Sequence, residues 1–232
     1  MAKVLIVCVA SILASVLLFG TLQDKNKIEA LKESADRGKL SWHAEMAKAK
    51  GHQEVVIPII SEYTVPSSFD EALAYYSLVI AEPLEQKPYV QNEGINTWYR
   101  FRLVEELSAP TLQCTSCQDL AAAPTDLLPL ESNEFLAPQT GGEALVNGVR
   151  VISKDIDYPA FVLGKKYLLF LSFDAQKVVG ALHMGPWGTF SLDSSEKLTA
   201  VDSRLKHPVR SELSRGFGDS VSRLRTHFKR VK

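Results

Sequence analysis

The spacing of apolar positions changes along the chain, and each change predicts a different element. Lys3 is followed by sixteen uncharged residues, Val4 to Phe19, dominated by Val, Leu, Ile, Ala and Phe. A short basic start before such a run is the pattern of a secretory signal, while Val4 to Leu22 approaches the length of a membrane span. Leu18-Phe19-Gly20 puts Leu where cleavage wants a small residue. Residues 1–22 are therefore expected to be a signal peptide or an uncleaved N-terminal anchor. Cys8 lies too early for a lipoprotein site and reads as a small apolar residue in the run. From Gln23 to Lys50 there is no proline, and Ile28, Leu31 and Ala35 share one stripe. This predicts a helix over 23–51, thin-faced enough for a stalk or a packing arm, weakened at Gly38 and closed by Gly51.

From residue 54 to 203 the period falls to two, the spacing of strands. Glu54 to Ile60 is a short apolar run containing Pro58, which suits an edge strand. Ser68-Phe-Asp-Glu71 has the spacing of a capping box and opens a short helix through Ala74. Tyr76 to Glu85 and Thr97 to Leu107 read as strands, joined through Asn92-Glu-Gly94. Residues 108–142, with four prolines, are expected to form one long irregular loop. Glu143 to Ile152 is a hairpin about Asn147-Gly148, a dipeptide that accepts positive φ at both turn positions. Lys166 to Phe173, Val178 to Met184 and Trp187 to Leu192 supply three more strands. Short strands without alternating helices point to a mainly β fold, a small antiparallel OB-like barrel or else a β-sandwich.

The tail returns to helical spacing. Over residues 204–232, Val209, Leu213, Phe217, Val221, Leu224 and Phe228 recur every three or four positions. They predict one basic amphipathic helix from Pro208 to Arg230. Its opposite face carries Arg210, Arg215, Arg223, Arg225, Lys229 and Arg230, the candidate surface-binding residues. Charge sharpens the picture. The chain of 232 residues has a net charge of -1, which conceals +3 over residues 1–50, -11 over 51–203 and +7 over 204–232. The tail is expected either to dock on the acidic body or to lie on an anionic membrane surface. Nucleic acid is a poor partner for an exported chain with an acidic body.

Cys114-Thr-Ser-Cys117 is the one motif with reactive potential. Its spacing suits a structural disulfide, a redox couple or half a metal site. A second C-x-x-C is lacking, the five histidines stand singly, and Gln118 replaces the histidine of covalent haem attachment. The reading is a disulfide that stiffens the loop, with a possible redox role. No G-x-S-x-G, H-E-x-x-H, P-loop or G-x-G-x-x-G occurs. Glu105 and Glu106 face opposite ways on a strand, Asp155 and Asp157 are expected in a solvated turn, and His183 reads as structural. Catalytic residues, metal ligands and cofactors are expected to be none. Tyr75, Tyr76, Tyr89, Trp98, Tyr99, Phe101, Tyr158, Phe161 and Trp187 could line a binding face or fill a core.

Phe69-Asp-Glu-Ala-Leu, Ser77-Leu-Val-Ile-Ala81, Trp98-Tyr-Arg-Phe-Arg102 and Gly164-Lys-Lys-Tyr-Leu-Leu-Phe-Leu171 together resemble OB-like secreted domains of the netrin and metalloprotease-inhibitor type. Their order is also similar to that of uncharacterised exported bacterial proteins with a barrel followed by a basic helix. The resemblance covers about residues 65–200 and implies an OB-like barrel. Inhibitors of that type present an N-terminal cysteine to a catalytic zinc, and this chain has an apolar segment there. The function expected is that of a non-catalytic, extracytoplasmic β protein, periplasmic or secreted, that binds a protein or envelope partner. The alternative is a thiol-disulfide or metal-dependent enzyme using Cys114 and Cys117.

Overall fold

The structure is a computed structural model that describes residues 39–91, 94–112, 123–202 and 206–231. The apolar run of residues 1–22, most of the expected 23–51 helix and the Cys114/Cys117 pair lie outside the described residues. No described helix is long and apolar enough to cross a membrane.

The architecture is mainly β, with largely antiparallel sheets and four helices among the described residues. In chain order the elements are α1 (Leu40–Ala49), β1 (Glu54–Ile59), α2 (Phe69–Tyr75), β2 (Ser77–Gln91), β3 (Gly94–Ser108), β4 (Glu134–Thr140), β5 (Gly142–Val146) and β6 (Val149–Asp155). They continue as β7 (Tyr167–Phe173), β8 (Gly180–Ala181), β9 (Thr189–Leu192), β10 (Leu198–Ala200), α3 (Pro208–Phe217) and α4 (Val221–Val231). One sheet has the order β1-β6-β5, and the larger runs β10-β9-β7-β2-β3-β4 with β8 beside β7. The sheets are not closed on themselves.

The period-two pattern explains how the larger sheet buries both faces. On one face Leu78, Ile80, Leu168, Phe170 and Phe190 pack under Phe69 and Ala72 of α2 and the tail helices. On the other, Val79, Ala81, Tyr99, Phe101, Leu169 and Leu171 meet Tyr158, Phe161 and Leu182. Register shifts at Leu78/Val79, Ile80/Ala81 and Pro83/Glu85 interrupt the long β2–β3 ladder, and bulges of this kind bend and twist a strand. The smaller sheet packs Val149 and Val151 against Leu40, Ala44 and Ala47 of α1, with Ile95 of β3 joining them. So the described part of the 23–51 helix is a packing arm.

Several expectations change here. Strand β4 emerges from the 108–142 stretch expected to be wholly irregular. Pro138 disguises it, yet proline is tolerated in a strand that ends the sheet order, as β4 does. Strand β1 is an edge strand as expected, but it pairs parallel with β6. The Val178–Met184 strand shrinks to Gly180–Ala181, because Gly185, at φ 50, opens a tight turn over Gly185–Gly188. The hairpin at Asn147-Gly148 forms as read, with φ of 51 and 80. In α2, Ser68 Oγ accepts from Glu71 N–H at 3.1 Å, but Glu71 reaches past the cap to Ser67 N–H at 2.6 Å.

The tail is two helices rather than one. Gly218 and Asp219 take φ of 58 and 54, which ends α3 and redirects the chain into α4. The apolar stripe survives the break, since Val209, Leu213, Val221 and Leu224 are fully buried against the sheet. Two glycines lower helix propensity here, and a docked surface more than offsets that loss.

Candidate functional site

The open space of interest lies where the two sheets meet. Gly141 and Gly142 carry the chain from β4 into β5, with φ of 105 and 138. A Cβ on Gly142 would collide with Thr97 Oγ1, and one on Gly141 would sit 2.9 Å from the Ser153 carbonyl. Only glycine lets the backbones approach this closely. Gly141 N–H donates to the Ile95 carbonyl at 2.7 Å and so ties the corner to β3. The angle at this corner leaves a cleft of about 680 Å³. Its floor is Gln86, Pro88, Thr97, Tyr99 and Gln139 on the larger sheet. Its walls are Glu143, Ile152 and Lys154 of the smaller sheet and the turn from Asp155 to Ala160.

The polar groups of the floor are held by internal bonds. Thr97 Oγ1 donates to the Gly141 carbonyl at 2.7 Å. Gln139 Nε2 donates to the Tyr158 and Pro159 carbonyls at 3.2 and 3.0 Å. Asp155 is 4% exposed, which corrects its expected place in a solvated turn. It accepts Tyr63 Oη–H at 2.5 Å and the N–H groups of Asp157 and Tyr158 at 3.0 and 3.1 Å. A buried carboxylate needs this many donors to stay in place. Burial, reinforced by the Asp155 carboxylate, raises the Tyr63 hydroxyl well above its usual range. Burial likewise pushes Tyr99 up to about 12. Both phenols therefore stay protonated at neutral pH, as hydrogen-bond donors and apolar packing. The exposed rim carries Gln86, Glu143 and Lys154. Arg150 clamps Glu143 at 2.5 Å, and Lys154 has no charged partner among the described residues.

Among the described residues, the cleft is lined by no cysteine and no histidine. Among the described residues no group of three or more metal-ligating side chains assembles. Glu105 pairs with Arg225 and Glu106 with Lys177, on opposite faces as expected. His183 is half-buried against Tyr76, at 6.3 Å between ring centroids. Of the aromatics considered as a binding face, Tyr76, Trp98, Tyr99, Phe101, Tyr158 and Phe161 are core, and Tyr75 is exposed. The cleft itself had one sequence signal, the Gly141-Gly142 pair, which a loop reading absorbs without remark.

The basic tail residues divide into two groups. Arg225 binds Glu105 and Glu196 at 2.7 and 2.5 Å and pins α4 to the body. The Arg210 guanidinium donates through Nη1 to the Asp202 backbone carbonyl at 3.5 Å. Arg215, Arg223, Lys229 and Arg230 face solvent. At the start of α3, buried His207 accepts Val209 N–H on Nδ1 at 3.2 Å and stacks on Trp187 at 5.5 Å. Its Nε2 is buried without a partner.

Burial lowers the His207 pKa, and that of His183 for the same reason. The unfolded chain then takes up protons first, near pH ~6.5, and stability is lost as pH falls from there toward the depressed native values. Urea midpoints should therefore drop between about pH 7 and about pH 5. His207→Asn keeps a side-chain cap for Val209 and should flatten part of that drop. An unchanged pH slope in this variant would remove His207 from the account.

Compared with known proteins, the chain matches no family model, no curated protein and no solved structure.

Proposed function

We propose that this chain is a non-catalytic, extracytoplasmic binding protein that holds a protein or envelope partner in the cleft between its two sheets. The observation that carries the reading is the fixed polar lining: Thr97 and Gln139 of the floor and Asp155 of the wall are locked by internal bonds before any partner arrives. A rigid cleft with a small exposed rim loses little entropy on binding. The start of the chain, Lys3 and the apolar run behind it, supports export or anchoring.

The finer fold reading is an OB-like, partly open barrel of β7-β2-β3-β4-β8, as in secreted domains of the netrin and metalloprotease-inhibitor type. Two contacts support it: the isolated bridge between Leu136 and Val179, and Leu136 N–H donating to the Val178 carbonyl at 2.8 Å. The aromatic cluster about Phe101 and Phe135 would be its interior. In the same reading Cys114 and Cys117 form a clip in the loop of an oxidised protein. The outward Arg215, Arg223, Lys229 and Arg230 form a second contact surface.

The test is native mass measurement of the protein taken from its own envelope, beside an Ala160→Trp variant that fills the cleft from an exposed position. A partner at fixed stoichiometry is expected on the parent and absent from the variant. A partner retained by Ala160→Trp would move binding elsewhere. Thiol-disulfide exchange activity abolished by Cys114→Ser would replace the whole reading with the enzymatic one.

A further inference from the structure

We propose that the turn over residues 162–166, with the smaller cleft beside it, is a docking face for an anionic phospholipid surface. The turn presents Val162 and Leu163 at 60% and 46% exposure, next to Val104 at 42%. Loose apolar side chains on a surface are ordinary, but this pair is held outward by a fixed backbone. Phe161 is buried among Tyr99, Phe101, Tyr158 and Tyr167, with ring centroids 4.9–5.7 Å away. Val162 N–H donates to Tyr167 Oη at 2.9 Å, Gly164 N–H to the Pro83 carbonyl at 2.9 Å, and Lys165 N–H to the Val162 carbonyl at 3.2 Å. Gly164, at φ 75, makes the reversal that brings the two lysines next to the apolar tip.

Lys165 and Lys166 supply the charge. Both are exposed and form no direct ion pair among the described residues, although Lys166 is close enough to Glu196 to act on its charge. By contrast Lys87, Arg100, Arg150, Lys177 and Arg225 are all paired. The two lysines line a cleft of about 580 Å³ with Ile80, Leu163, Asp193, Glu196 and Arg225. Arg225 is already satisfied by Glu105 and Glu196, and Asp193 by its own turn. Asp193 and Glu196 stand against Lys165, Lys166 and Arg225, so the lining carries a net charge of +1, with the two lysines on its exposed side. An apolar tip beside exposed ammonium groups matches the boundary between acyl chains and phosphates: the tip leaves water while the lysines meet headgroups. An acidic groove on another protein offers the lysines a partner but leaves the tip in water.

The full chain is sedimented with vesicles of phosphatidylcholine alone and with an equal mixture of phosphatidylcholine and phosphatidylglycerol. The run Val4 to Phe19 adds a background common to every variant, so the readout is the gain on adding the anionic lipid. Lys165→Glu with Lys166→Glu should cut that gain about thirtyfold or more. Val162→Ser with Leu163→Ser should cut it roughly tenfold or more. Lys48→Glu with Lys50→Glu changes net charge equally on α1 and should leave it within about twofold. Thermal melts check that each variant is folded. The proposal is overturned if the turn variants bind as the parent does, or if the α1 variant loses as much. It is also overturned if an acidic peptide binds while anionic vesicles do not. The partner cleft at Gly141-Gly142 shares no residue with this face, so Ala160→Trp leaves this result unchanged whether or not that cleft is functional.

Discussion

Replacing Leu213 and Leu224 together by alanine should lower stability by roughly 4 to 10 kcal/mol, from about 2 to 5 for each leucine lost from a core. The two side chains are 1% and 0% exposed, one on α3 and one on α4. Both belong to the cluster that includes Ile80, Phe170 and Phe190 of the sheet. Small domains are stable by only about 5–15 kcal/mol, so this pair decides whether the tail stays folded on the body. The melting temperature should fall by roughly 10 to 30 °C, and protease should cut the tail before the sheet. Arg215→Glu with Arg223→Glu, on the solvent side of the same helices, should change stability by only about 0.5 kcal/mol. A leucine pair as tolerant as the arginine pair would mean that the apolar stripe rests on something other than this sheet.

The second large effect is expected at Phe101, which is 0% exposed. Its ring stacks on Phe135 at 5.2 Å and 10°, and meets Phe161 edge-on at 5.2 Å and 89°. Phe101→Ala should cost about 3–5 kcal/mol, at the upper end because each aromatic contact adds roughly 0.5–1.5 beyond burial. Phe161 anchors the lipid-facing turn, so that turn should also become more accessible to hydrogen exchange. Tyr75→Ala, at a 39% exposed ring, is the comparison and should cost under about 1 kcal/mol. Equal losses at the two positions would place the weight of the core elsewhere.

Local chemistry made part of this fold legible. The Asn147-Gly148 hairpin, the short helix after Ser68 and the apolar stripe of the tail depend on residues close in sequence, and all appear where the sequence puts them. The same stripe did not announce its break, because Gly218 in a helical frame costs only about 1 kcal/mol and the left-handed turn forms once both halves have a surface. Strand β4 hid behind Pro138 because a ladder position that tolerates proline exists only after β3 is beside it.

The candidate site shows the same division more sharply. Asp155 reads as a solvated turn residue until Tyr63, 92 positions earlier, is brought to its carboxylate. Lys165 and Lys166 are ordinary lysines until the turn at Gly164 is seen to set them beside the exposed Val162 and Leu163. The sequence by itself determined the mainly β character, the Asn147-Gly148 turn, the apolar stripe of the tail and how charge is distributed, because those follow from neighbours a few residues apart. Only the tertiary structure decided the pairing of β1 with β6, the cleft at Gly141-Gly142 and which arginine faces the body. Each of these is a contact between residues far apart in the chain, and its free energy exists only once the intervening chain has been ordered.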